Sequence, residues 1–223
     1  MRCRVLKRTA AGACLLMVAF MVCSCGLGSS EEAENPEKTM EALYQLVVCQ
    51  DISEITKLGI DQAEAQETLD EYRSSMTSAI QEEFKKADFS ISQSQASDIL
   101  DEISGSLKKL DHKVSLKKRD GKEATVEVSS QYIEYRDLFK KASDETVNEL
   151  KSRHVEELSG AKDLLVENIK DSFQNAEASK DMHSLTFQLK CEKIKSGENK
   201  VYIFFPEDAE ETGAQLMKLV TNK

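Results

Sequence analysis

Apolar residues from Pro36 to Leu58 recur at steps of three to five, through Met40, Leu43, Val47, Ile52, Ile55 and Leu58. That step marks one face of a helix. Asp51 predicts a break in it and Gly59 a stop. Leu69, Tyr72, Met76, Ile80 and Phe84 form a second seam of threes and fours, and Ala96, Ile99, Ile103, Leu107 and Leu110, after Ser92, form a third. All three segments predict amphipathic helices.

The period then falls to two. Val114 and Leu116 alternate with polar residues, Asp120-Gly121 is a turn signal, and Ala124, Val126 and Val128 resume the alternation before Tyr132 and Ile133. This predicts a β-hairpin with one buried face. Helical spacing returns between Leu138 and Ala176, through Phe139, Ala142, Val147, Leu150, His154, Leu158, Ala161, Leu165, Ile169 and Phe173. One helix of about 40 residues would run ~60 Å, so a bend or break is expected near Ser159-Gly160, leaving open whether the segment is one helix or two. A second hairpin follows, with Leu185, Phe187, Leu189 and Cys191 on one face, then the turn SGEN and the run VYIFF. Pro206 is expected to open a last helix. The pattern predicts an α+β fold: N-terminal helices, about four antiparallel strands in two hairpins, and a long helical segment inserted between the hairpins.

Ahead of all this, Arg2, Arg4, Lys7 and Arg8 precede an apolar run from Ala10 to Val22. At ~1.5 Å per residue such a run makes ~20 Å of helix, short of the ~30 Å hydrocarbon core, so it reads as an export leader. Val22-Cys23-Ser24-Cys25 resembles the bacterial lipobox, with Cys25 as the lipidated residue. The expected organisation is a signal peptide over 1–24, a lipid-anchored tether over 25–36, and a single α+β domain with a helical extension over 37–223. Loss of a leader with four cations and no acid would move the formal charge from −10 to −14. Such an acidic chain argues against nucleic acid as a partner. The expected location is the outer face of the cytoplasmic membrane, with the membrane itself a partner through Cys25.

Beyond the anchor only Cys49 and Cys191 remain, and they are open to two readings, a disulfide or two buried thiols. His112, His154 and His183 are the only histidines. Glu157 lies one turn after His154. No HExxH, paired CxxC, GxSxG or phosphate-binding glycine loop is present, so the sequence offers no catalytic residues, no metal ligand set and no cofactor. One local charge excess stands out: Lys108, Lys109, Lys113, Lys117, Lys118, Arg119 and Lys122 against Asp111 and Asp120. Lys117, Lys118 and Arg119, at the hairpin tip, are candidates for contact with anionic headgroups or wall polymer. The alternative is a solvated edge that lysines protect from pairing. Phe187, Tyr202, Phe204 and Phe205 could line a pocket or fill the core.

The blocks DISEITKLGI (51–60), DGKEATVEVSSQYIEY (120–135) and FFPEDAEETGAQLMKLVTNK (204–223), in that order, resemble a group of lipoproteins from Gram-positive bacteria that share a domain of unknown function. Many lipoproteins of this layout also look like cystatin or nuclear-transport-factor-two relatives, whose curved sheet wraps a helix. The resemblance implies an envelope lipoprotein and carries no catalytic residues. The functional expectation is a non-catalytic binding or interaction module of the envelope, with an envelope protein or anionic wall polymer as partner. The alternatives are a small-ligand pocket between sheet and helices and, behind it, an envelope enzyme.

Overall fold

The computed structural model describes residues 35–153, 158–196 and 199–222. The leader and Cys25 lie outside these residues.

Each helix start carries a local reason. Asn35 accepts a hydrogen bond from the Glu37 amide (3.0 Å), and Pro36 occupies the first turn of α1 (Pro36–Cys49), where its missing N–H costs nothing. The helix ends on Gln50 in the left-handed region (φ 52°). A short α2 (Ser53–Lys57) follows and the chain turns at Gly59 (φ 90°), so the break at Asp51 and the stop at Gly59 are where the pattern put them. Asp61 caps α3 (Gln62–Lys86), and Ser92 with Gln95 forms a reciprocal capping box at α4 (Gln93–Leu107).

The strands β1 (His112–Asp120), β2 (Glu123–Ser130), β3 (His183–Ser196) and β4 (Asn199–Pro206) form one antiparallel sheet in the order β1-β2-β3-β4. Between the paired neighbours β2 and β3 the chain leaves the sheet through α5 (Tyr135–Arg153) and returns through α6 (Leu158–Gln174). These are two helices, folded back antiparallel: Phe139 meets Phe173 and Thr146 meets Asn168. Residues 154–157, between the two, lie outside the described residues, and Gly160, near which the break was expected, lies within α6. The last helix, α7 (Ala209–Thr221), starts later than Pro206 suggests. Pro206 instead closes β4 as the partner of Leu189, and Asp208 is the cap, accepting from the Glu211 amide at 2.8 Å.

Burial along β3 changes parity. Phe187, Leu189 and Cys191 are buried, then Ile194 and Ser196, although the β3–β4 register shows no shift. The far half of this hairpin therefore turns its opposite face inward, where the Asp61 amide at the head of α3 donates to Ser196 Oγ (2.7 Å). Successive residues Ile203 and Phe204 are both buried, so β4 is covered on both faces. That accounts for the unalternating VYIFF.

The buried residues form one hydrophobic cluster in which Tyr44, Tyr72, Phe173 and Phe204 are the largest fully enclosed side chains. Both tyrosine hydroxyls are satisfied: Tyr72 donates to the Val47 carbonyl (2.9 Å) and Tyr44 bonds Ser130 Oγ (2.8 Å). In the helical layer α4 packs against both α3 and α6. It holds the inserted hairpin beside α3 and thereby shapes the site described next.

Candidate functional site

Three helix faces converge on a cleft of about 410 Å³. From α3 come Met76, Ile80 and Phe84, at successive i, i+4 positions and therefore on one stripe. From α5 come Tyr135, Phe139 and Ser143 with the same spacing, and from α6 Leu165 and Ile169. Phe89, in the turn that follows α3 through Asp88 (φ 60°), closes one end. Ile80, Phe84 and Ile169 are buried, whereas Met76, Phe89, Tyr135, Phe139 and Leu165 are half-buried and present apolar surface to the opening.

The aromatic side of the cleft is braced from behind. Phe173 is fully buried and its ring lies 5.3 Å from both Tyr135 and Phe139, which are themselves 4.9 Å apart. Tilted and edge-on arrangements of this kind are the favoured aromatic geometries. Deeper in the hairpin, Asn168 Nδ2 donates to Thr146 Oγ1 (3.0 Å), whose hydroxyl donates to the Ala142 carbonyl (2.7 Å). That chain of buried bonds fixes the register of α5 on α6 and hence the shape of the wall.

Among the described residues, Glu83 is the one cleft-lining side chain charged at neutral pH. It stands at the mouth, 70% exposed, with Lys86 Nζ 2.6 Å from its carboxylate. Ser143 Oγ donates to the Phe139 carbonyl at 2.9 Å. Tyr135 adds a phenol, and the other lining side chains are apolar.

The junction of sheet and helices, where a pocket was expected, is nearly full. A cavity of about 30 Å³ lies there among Thr39, Leu46, Ile60, Ile203 and Phe205, room for about one water. Phe187 and Phe204 are core residues, and Tyr202 lies under Lys193 Nζ, 4.9 Å from its ring centroid. Of the aromatics of β3 and β4, Phe187 and Phe204 therefore make core, while Tyr202 and Phe205 pack half-buried against it.

Lys117, Lys118 and Arg119 are all exposed, and each has different neighbours. Lys117 is the extra residue of a β-bulge and pairs with Glu127 at 2.6 Å. The Arg119 guanidinium sits 5.0 Å over the Phe204 ring, and Lys118, opposite Thr125, is exposed. Cys49 and Cys191 are both buried free thiols, so the structure does not join them as a disulfide. Burial pushes the Cys49 thiol up to about 11 and Cys191 above its ordinary value.

His154 and Glu157 lie outside the described residues. His183 stacks on Tyr132 with ring centroids 4.3 Å apart. The histidine that joins two elements is His112: its Nε2 meets Glu41 Oε1 at 2.9 Å and its ring stacks on Tyr44 at 4.0 Å. Neither partner was readable from sequence, because both come from α1, some 70 positions away. Among the described residues, no group of three or more His, Cys, Asp or Glu side chains could hold a metal ion, and no helix is long and apolar enough to cross a membrane.

No protein-family model matches this chain, and no curated protein matches it. Among solved structures, it is similar to the crystal structure of "a putative lipoprotein (ycdA)" from Bacillus subtilis, with a TM-score of 0.62 at 14% identity. The similarity covers 83% of this chain and 55% of that one, so this chain spans about half the length of its structural neighbour. At that identity the likeness is one of fold.

Proposed function

We propose that this chain is a lipid-anchored envelope protein that binds a ligand rather than transforming one, with the interhelical cleft as its binding site. The observation that carries the reading is the cleft itself. Its volume of about 410 Å³ lies within the range of small-molecule sites, roughly 300–1,000 Å³, and apolar side chains from three helices line it. The anchor has separate support: the export leader, the lipobox-like Val22-Cys23-Ser24-Cys25, and a fold shared with a protein described as a lipoprotein. In this reading Cys25 carries the lipid, and the tether between it and α1 keeps the folded part at the outer face of the cytoplasmic membrane.

Two measurements test the two halves. Metabolic labelling with a clickable fatty acid is expected to mark the wild-type chain and not Cys25→Ala; label on the variant sinks the anchor. A thermal-shift screen of envelope metabolites, lipids and peptides is expected to yield at least one compound that raises the melting temperature by several degrees, an effect lost in Ala79→Phe, which fills the cleft. Silence across a broad library overturns the binding reading.

A further inference from the structure

Resting on that reading, we infer that the cleft takes an uncharged apolar body, a hydrocarbon chain or ring whose polar end is neutral and remains at the mouth. The argument is one of chemical complementarity between lining and ligand. An ion drawn into apolar surroundings must find an opposite charge there or it is expelled. Glu83 cannot serve a cation well, because Lys86 already lies 2.6 Å from its carboxylate in open solvent. No lining residue offers a positive charge, and the cation at the mouth, Lys86, is already held by Glu83, so a carboxylate or phosphate end would have to displace that pair. The Ser143 hydroxyl has given its proton to the Phe139 carbonyl and keeps only acceptor capacity, which suits the O–H of a neutral alcohol or the N–H of an amide.

Shape points the same way. Met76 and Phe84 of α3, Phe89 after it, Tyr135 and Phe139 of α5 and Leu165 of α6 together supply apolar walls. Burial of each methylene between such walls is expected to tighten binding by about fourfold. The methionine is the adaptable member of the lining and accommodates a flexible chain. Glu83 and Ser143 are spent on internal pairs, so selectivity falls to the apolar body and charge acts only by exclusion.

The test uses the chain carrying Cys25→Ser, which keeps every described residue and is purified free of its own acyl groups. Binding of 1-octanol, octanoate and octyltrimethylammonium, which share one hydrocarbon chain, is compared by saturation-transfer NMR and calorimetry. The expected result is one site for 1-octanol, at least tenfold tighter than for either ion, tightening about fourfold from 1-heptanol to 1-octanol. Ala79→Phe is expected to lose at least tenfold in octanol affinity with its melting temperature kept; should it fold poorly, Ser143→Phe at the exposed rim serves instead. Equal or tighter binding of either ion overturns the ligand class while leaving the binding function standing. Octanol binding untouched by the filling variants removes the cleft as its site. Binding of none of the three probes overturns this inference, and only the broader screen then decides the fate of the binding function.

Discussion

Glu41 of α1 and His112 of β1 form a half-buried hydrogen-bonded pair, Oε1 to Nε2 at 2.9 Å, ionic when the imidazole, which stacks on Tyr44, is protonated. Gln45 donates to the same carboxylate oxygen at 2.9 Å, and one turn earlier Glu37 accepts the Leu116 amide at 2.8 Å. The first helix is thereby clamped to the edge strand at two successive positions.

This pair makes stability depend on pH. The Glu41 hydrogen bond raises the His112 pKa above 6.5, against burial, with the charge of Asp111 adding to the rise; the same bond from His112 lowers Glu41 below 4.5. The histidine's contribution is full below 6.5 and fades as pH climbs through the folded-state value. The carboxylate's contribution is present above 4.5 and fades as pH falls through its lowered value. His112→Gln should therefore destabilise most between 4.5 and 6.5, by about 1 kcal/mol more than it does near pH ~9. Urea unfolding of both proteins at the two pH values measures it; an equal loss at both would mean that the pair contributes packing and not charge.

Phe173 is fully enclosed and braces Tyr135 and Phe139. Phe173→Ala should cost about 3–5 kcal/mol and lower the melting temperature by on the order of 10 °C. Calorimetry checks it. A loss under ~1 kcal/mol would show that the hairpin packs loosely on the rest of the core.

Gly121, the first residue of the β1–β2 turn, has φ 58°, and a Cβ built there meets nothing within 4 Å. Any cost of substitution is therefore backbone conformation alone. Gly121→Val should destabilise by about 1–2 kcal/mol and Gly121→Asn by clearly less, because asparagine tolerates the left-handed region. Equal losses in denaturant titrations would contradict the φ-based account.

Cys49 and Cys191 should react slowly with a thiol reagent in the native state, since both are buried and both have raised pKa values. In denaturant both should label at once. Mass spectrometry of the alkylated protein counts them; failure of either to label after unfolding without reductant would mean that they are oxidised.

Local punctuation and period carried most of the fold. Asp51, Gly59, Ser92 and Gly121 each sit where the chain turns or a helix begins, because capping and left-handed φ are decided within a few residues. Pro206 misled because proline opens helices and closes edge strands equally well; the pairing with Leu189, made 17 positions away, decided between them. The division of the long segment into α5 and α6 was visible as a length problem, and the glycine that pointed to it, Gly160, is itself carried in the first turn of α6.

The cleft shows where sequence stops. Met76, Ile80, Phe84, Phe139, Leu165 and Ile169 were all legible as apolar stripes, and periodicity alone determined that each stripe must face something. What each faces depends on α4, which packs on α3 and α6 together. The parity change in β3 and the meeting of Glu41 with His112 have the same origin. A residue's period is set by its own backbone and is written locally. Its neighbour across the core is set by how whole elements cross, and no short stretch of chain encodes that.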